Sequence, residues 1–278
     1  MSGRLVVNAD DLGLTKGVNR ATMRAHASGI VTSTSLLAVG RAFDHAVTLL
    51  SDHPTLDVGA HLAIVGEDPP LLTAAEVPTL VDRRGRLPLS YRTVVARAAT
   101  GRLDPVDVHR EMRAQLSRIS DAGLTVSHLD THQHTHLWPL VGAVVADLAV
   151  EARIRWVRVP TSRAPEPVGV VVRRLSSRLR DRLAASALAG TDAYAGLDEA
   201  GRMDAEHFAR AVAAVTGSDT AEINVHPGEA GDSDLSGFRW GYLWEGETSM
   251  LTDPATRALL RRHQVELVSF RNLSQEAR

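Results

Sequence analysis

The chain has 278 residues, 44% hydrophobic and 23% charged, with 31 basic against 33 acidic side chains and a formal charge of −2. Those proportions suit a globular protein and exclude a disordered or collagenous chain, and the near-neutral balance lacks the basic excess of a nucleic-acid binder. There is no cysteine, which excludes disulfides, thiolate metal sites and cysteine nucleophiles.

Short apolar or β-branched runs alternate with helical patterns along the chain. Residues 5–8 read as a first strand, followed by a helix near 18–27. A strand at 31–37, a helix at 42–50 and a strand at 56–62 come next. A helix over 106–122 leads to a strand at 125–129, and a helix over 139–152 to a strand at 154–159. A weaker strand lies near 191–194. Helix 205–215, strand 221–225, helix 254–262 and strand 266–269 complete the series. Gly29 and Gly123 follow two of the helices, where a left-handed C-cap is wanted. Strand then helix, repeated seven or eight times, predicts an α/β protein with a parallel sheet, and the count favours a barrel over an open doubly wound sheet. No G-x-G-x-x-G follows the first strand, which argues against dinucleotide binding. The expected organisation is one domain over 1–278, with insertions at about 64–90 and 160–202 that build the mouth of the barrel. No apolar run approaches the ~20 residues of a membrane span, and no secretory signal pattern opens the chain. Stable membrane insertion is therefore not expected, and a cytoplasmic location is.

The unusual polar residues fall at predicted strand ends. Asp10 and Asp11 close the first strand, and His61 ends the third. Asp130, His132, His134 and His136 follow the fourth, Arg158 ends the fifth, and His226 ends a late strand in Asn-Val-His-Pro-Gly. A parallel barrel gathers the carboxyl ends of its strands on one face, where such barrels place their active sites. Alternation at 132, 134 and 136 predicts three imidazoles on one face of an extended segment. Imidazoles with carboxylates suit zinc and other transition ions, and also occur at manganese and magnesium sites. His134 and His136 could equally support the ligands rather than be ligands. Adjacent acids on a strand point to opposite faces, so Asp10 and Asp11 would divide between metal and substrate; the plain alternative for one is a helix N-cap. His61 could be a satisfied core histidine and His226 a hydrogen-bonded turn histidine. Arg158, in an apolar run, needs a partner, and a site carboxylate or a structural ion pair would serve. An arginine-rich amphipathic segment at 170–183 reads as a lid over the barrel mouth, docked on its own barrel or touching an anionic or lipid-linked substrate. Trp240, Tyr242 and Trp244 offer flat faces for a sugar ring, or packing alone.

These motifs resemble the YdjC-like family, of the chitooligosaccharide-deacetylase type. The resemblance is carried by Val-Asn-Ala-Asp-Asp-Leu-Gly-Leu-Thr-Lys-Gly-Val-Asn at 7–19, Gly-Ile-Val-Thr-Ser-Thr-Ser at 29–35 and Val-Gly-Ala-His-Leu at 58–62. His-Leu-Asp-Thr-His-Gln-His-Thr-His at 128–136, Val-His-Pro-Gly at 225–228 and Val-Glu-Leu-Val-Ser-Phe-Arg-Asn-Leu at 265–273 extend it. It implies a deformed (β/α) TIM-like barrel holding one divalent metal ion, with Asp11, His61 and His132 as ligands, Asp10 as catalytic base and His226 as general acid. Arg158, Asp130, His134 and His136 would bind substrate or support the ligands. Magnesium is the metal often assigned to the family, whereas the ligand types themselves lean toward zinc or another transition ion. The implied reaction is hydrolysis of an N-acetyl group on an amino-sugar-containing substrate, an oligosaccharide or a glycolipid. A homodimer is left open. One departure is visible: Gln133 stands where the family often has histidine, and its side chain is expected to point away from the metal. The alternatives are another metal-dependent amidohydrolase or phosphoesterase on the same barrel, and a non-catalytic sugar-binding protein. The Asp-Asp of the first strand, in place of the His-x-His common in amidohydrolases, counts against the former.

Overall fold

The computed structural model describes residues 3–276. Its eight strands are β1 (Arg4–Leu12), β2 (Ser33–Leu36), β3 (Asp57–Leu62), β4 (His128–Thr131), β5 (Trp156–Val157), β6 (Ala193–Ala195), β7 (Thr220–Val225) and β8 (Glu266–Leu267). All pairings are parallel, in the order β5-β4-β3-β2-β1-β7-β6. An isolated bridge pairs Trp156 of β5 with Ala189, in the segment that leads into β6. The ten helices are α1 (Lys16–Ala27), α2 (Phe43–Ser51), α3 (Tyr91–Ala99), α4 (Pro105–Asp121), α5 (Pro139–Glu151), α6 (Pro167–Ala185), α7 (Ala205–Val215), α8 (Trp244–Thr252), α9 (Pro254–Arg262) and α10 (Phe270–Glu276). This is the parallel barrel that the strand–helix alternation predicts, in the deformed (β/α) form that the family resemblance implies.

The strands are buried on both faces because helices cover the outside and side chains fill the inside. Leu5, Val7 and Ala9 of β1, Val58, Ala60 and Leu62 of β3, and Ala221, Ile223 and Val225 of β7 point into one continuous core shared with the helices. The alternate residues point inward. At the amino-terminal end this interior is apolar: Val6, Trp156, Val268, Phe270 and Leu273 cluster there. β8 pairs with β1 at Arg4 and Leu5, below the level at which β2 begins at Asn8. That placement lets α10 close the floor, with Phe270 stacked on the His128 ring at 4.1 Å. Gly59 leaves room for that ring, since a Cβ there would lie 2.2 Å from it. Above the floor the interior turns polar, with Asn8, Asp10, Ser35, His61, Asp130, Arg158, Glu222 and Asn224 all buried.

Three helices escape the periodicity reading: α3, α8 and α10 are short, and each follows an irregular segment. The predicted C-cap role holds for Gly123, at φ +77, and not for Gly29. Gly29 instead sits where a Cβ would meet the backbone oxygens of Leu251 and Ala25 at 2.4 and 2.5 Å, so close packing selects it. The arginine-rich segment is α6. Leu179 and Leu183 are buried, Arg173 donates to the backbone oxygens of Ser162 and Ala164, Arg180 to that of Thr191, and Arg182 pairs with Asp147. These bonds tie α6 to its own barrel. No helix among the described residues is long and apolar enough to cross a membrane.

Candidate metal centre

β1 ends in a bulge. Its register against β2 shifts between Ala9 and Leu12, and Asp11 takes a left-handed conformation at φ 65°. The extra residue cancels strand alternation. Asp10 and Asp11 therefore line the same cavity, which corrects the expectation that they face opposite ways. Residues 132–137 correct a second expectation. They form a 3-10 turn with Gln133 and His134 left-handed, so the three histidines separate. His132 enters the cavity. His134 also lines that cavity, at its side, with Nε2 3.4 Å from the Tyr194 hydroxyl. His136 is buried, bonded to Thr131 Oγ1 at 2.6 Å and to the Arg158 backbone oxygen at 2.9 Å. That bond fixes β5 to the turn, and burial holds the His136 imidazole down at about 4. The Gln133 amide faces the insertion, accepting from Tyr91 N and donating to Leu89 O.

At the cavity floor, three potential ligand atoms converge. His132 Nδ1 lies 3.0 Å from Asp11 Oδ1, His61 Nε2 lies 3.4 Å from that oxygen, and the two nitrogens are 3.3 Å apart. Neighbouring donors around an ion at ~2.0–2.2 Å have this spacing. Asp11 Oδ1 is buried and has no hydrogen-bond partner. A buried acceptor left unpaired is costly, and an ion among these three atoms would satisfy it. On its far side, His61 Nδ1 meets Asp130 Oδ1 at 2.6 Å, the carboxylate–histidine arrangement that orients metal-binding imidazoles. Burial disfavours the charged His61 ring, but Asp130 and Asp11 outweigh it and raise the group to about 10. Burial would raise Asp11, and the His132 and His61 imidazoles instead hold it well below the usual carboxylate range.

Beside this triad lies a buried ionic network centred on Arg158. Its guanidinium grips Asp10 with two bonds of 2.7 Å, meets Asp130 Oδ2 at 2.8 Å and donates Nε to Glu222 at 2.7 Å. Asn8 and Asn224 donate to the two Asp10 oxygens at 2.7 and 3.1 Å. Burial raises Asp10, but Arg158 brings it below its ordinary value. Glu222 is different: burial pushes it up to about 7, and its Oε2 has no partner. His226 is fixed by its own backbone, whose N–H donates to Glu247 at 2.6 Å, and its Nε2 stands 3.9 Å from Asp10 Oδ2. Asp10, Asp11, His61, His132 and His226 share one cavity of about 330 Å³, with Trp240 and Tyr242 in its wall. Trp244 packs behind them at 5.6 and 5.1 Å between ring centres.

Of the residues singled out from the sequence, His136 and Asp130 stand behind the cavity. Glu222, Asn224, Asn8 and Ser35 were missed. The signal for two of them was strand alternation, since Glu222 and Asn224 precede His226 by four and two residues on the same face of β7.

Fold and cluster together define an α/β barrel with a carboxylate–histidine centre at the carboxyl ends of its strands. The sequence profile of the YdjC-like protein family matches residues 4–262. The chain is 32% identical to a Brevibacillus brevis protein named carbohydrate deacetylase, over 97% of this chain and 99% of that one. It is 33% identical to a Geobacillus stearothermophilus protein of the same name, covering 96% of each. The chain belongs to the YdjC-like protein family. In fold it matches the crystal structure of an Enterococcus faecalis protein described as a candidate cellobiose-phosphate cleavage protein, with TM-score 0.81, 22% identity and coverage of 98% and 99%.

Proposed function

We propose that the protein is a metal-dependent carbohydrate N-deacetylase, hydrolysing the acetamide of an N-acetylated amino sugar to acetate and a free amine. The observation that carries this reading is the unpartnered Asp11 Oδ1 within 3.0–3.4 Å of His132 Nδ1 and His61 Nε2, on the floor of a cavity that also holds Asp10 and His226. Names of relatives that share nearly the whole chain supply the substrate class. Asp11, His61 and His132 would hold one divalent ion, and two histidines with a carboxylate favour zinc or a similar transition ion over magnesium. Such an ion, when bound, supplies Lewis acidity toward the amide carbonyl and makes water more acidic.

The chain's own groups supply the rest. Trp240 and Tyr242 offer faces for the sugar ring. Arg158 keeps Asp10 ionised, so Asp10 accepts the proton of the attacking water as the new C–O bond forms. His226 delivers a proton to nitrogen as the C–N bond breaks, since an unprotonated amine is a poor leaving group. One observation favours a second division of labour. All four acceptor positions of Asp10 are taken, by Arg158 twice and by Asn8 and Asn224. In that version His226 handles both protons and Asp10 is a fixed negative charge.

The test is acetate release from N-acetylglucosamine oligomers, with phosphate monoesters as a control class, after chelation and after adding back zinc, manganese or magnesium. Activity that survives complete chelation overturns the metal dependence, and phosphate release without acetate release overturns the substrate class. Under the first division of labour, Asp10→Asn keeps its ion and loses about 10²–10⁴-fold in turnover. A much smaller loss in Asp10→Asn than in His226→Gln selects the second. Loss of the ion from Asp10→Asn would exchange the roles of Asp10 and Asp11.

A further inference from the structure

A second cavity, of about 440 Å³, opens beside the reaction cavity between α3, the turn after β4 and α6. Its walls are apolar: Val94, Val95, Leu137, Trp138, Val172 and Leu175. At its edge Ser162 Oγ donates to Asp198 at 2.6 Å and the neighbouring Arg163 N to the same carboxylate at 2.7 Å, while His134 Nδ1 and Thr135 Oγ1, on the side toward the turn after β4, have no hydrogen-bond partner. Val168 and Val171 of α6, 70% and 52% exposed, extend its apolar lining to the surface. Tyr91, Gln133, His134 and Leu197 line both cavities, so the two adjoin across these four residues. Trp240 and Tyr242 line only the reaction cavity.

We propose that the second cavity is an acyl-chain site, so that the protein removes N-acyl groups longer than acetyl from amino sugars. The inference rests on the deacetylase reading above and extends it. A secondary amide is trans, so the acyl chain and the sugar leave the C–N bond in opposite directions. A sugar ring against Trp240 and Tyr242, with its carbonyl at the Asp11–His61–His132 cluster, sends the acyl carbons toward the wall those aromatics do not form. That wall is the Tyr91–Gln133–His134–Leu197 boundary, and beyond it the apolar cavity begins. Acetyl ends at the boundary, whereas a chain of six to eight carbons crosses it. The reaction is unchanged: water adds to the carbonyl carbon, the C–N bond breaks, and a fatty acid leaves in place of acetate.

The experiment compares N-acetyl-, N-butyryl-, N-hexanoyl- and N-octanoylglucosamine with the metal-loaded protein, and adds octyl N-acetylglucosaminide as a second arm. A buried methylene is worth roughly a fourfold gain, so burying even two of the four methylenes that hexanoyl adds to acetyl is expected to raise kcat/KM at least about tenfold. Val172→Phe, which fills the cavity away from the reacting atoms, is expected to abolish that gain and leave N-acetyl turnover unchanged. Binding of N-octanoylglucosamine, followed through tryptophan fluorescence with Trp138 in the cavity wall, is expected to be tighter than that of N-acetylglucosamine in the same way, independent of turnover. Turnover of acetyl with no gain for longer acyl chains overturns the acyl-chain site and leaves the deacetylase reading intact. A gain confined to the octyl glycoside overturns it in favour of an aglycone site. Tight octanoyl binding with no hydrolysis of any amide keeps the site and sinks the deacetylase reading instead.

Discussion

Arg158 is the residue on which most of the charge in the barrel depends. It is 1% exposed and faces Asp10, Asp130 and Glu222 together. Three carboxyl groups around one guanidinium cannot all be ionised cheaply. Asp10 and Asp130 accept from Arg158 and from further donors, whereas Glu222 has one bond and an oxygen without a partner, and burial raises it to about 7. Removing the counter-ion with Arg158→Met should cost about 3–5 kcal/mol, measured by chemical denaturation, because buried carboxylates are left uncompensated. The raised Glu222 gives a separate prediction. Because its folded value exceeds its unfolded value, it favours the folded state at acid pH, and that benefit is lost as pH rises from about 4.5 to about 7. Glu222→Gln, which keeps the bond to Arg158 Nε, should match the parent protein at pH 4.5 and become more stable through neutrality, by up to about 3 kcal/mol. Equal melting curves at pH 8 would show that Glu222 is ionised without cost. Asp10, His61 and His226 were legible in the sequence because polar residues at the ends of apolar runs stand out. Glu222 was less so: alternation puts it on the face of His226, but a single acid inside a strand does not tell what it meets across a barrel.

At the scale of elements, the sequence announces the strands and helices and conceals two local distortions that build the site. Strand alternation assigns Asp10 and Asp11 to opposite faces, and the left-handed backbone at Asp11 overrides it. Alternation also groups His132, His134 and His136, whereas the left-handed pair Gln133 and His134 disperses them. Neither distortion falls on a glycine, the residue that marks positive φ most plainly; Asp and His tolerate the left-handed region better than most but do not announce it. Gln133 also makes a tertiary contact. Its amide bonds Leu89 O and Tyr91 N at 2.9 and 2.8 Å, clamping the end of the 64–90 insertion and the start of α3 to the turn that carries His132. Gln133→Ala should remove both bonds at a cost of about 1–3 kcal/mol. Faster amide hydrogen exchange in α3 is expected, together with a raised KM and an unchanged affinity for metal. Unchanged exchange in α3 would show that the clamp holds nothing.

Across the whole molecule, the barrel is stratified. An apolar floor, closed by α10 and the Phe270–His128 stack, gives way to a buried ionic layer and then to the metal-type cluster, itself buried on the floor of the reaction cavity. Asp11 Oδ1 has no hydrogen bond in that cluster, and Asp130 and Asp11 raise the His61 imidazole to about 10. A divalent ion would compete with protons for His61, take up that oxygen and join β1, β3 and the turn after β4. Binding to the folded state alone stabilises by mass action, about 2.7 kcal/mol at a hundredfold excess over Kd. The melting temperature of the chelated protein should therefore rise by a few degrees with zinc or manganese at neutral pH. Because ligand protons must leave, the midpoint concentration of metal should fall as pH rises from 6 to 8. Asp11→Asn removes the anionic ligand but keeps the shape, so it should abolish the thermal shift at every pH while Asp10→Asn retains it. A shift that survives in Asp11→Asn and disappears in Asp10→Asn would place the ion on the other side of His61, among Asp10, His61 and Asp130, which also lie close enough to hold one. Arg158 argues against that arrangement, because its guanidinium already supplies positive charge to Asp10 and Asp130, and an ion there would meet it across hydrogen bonds of 2.7 and 2.8 Å.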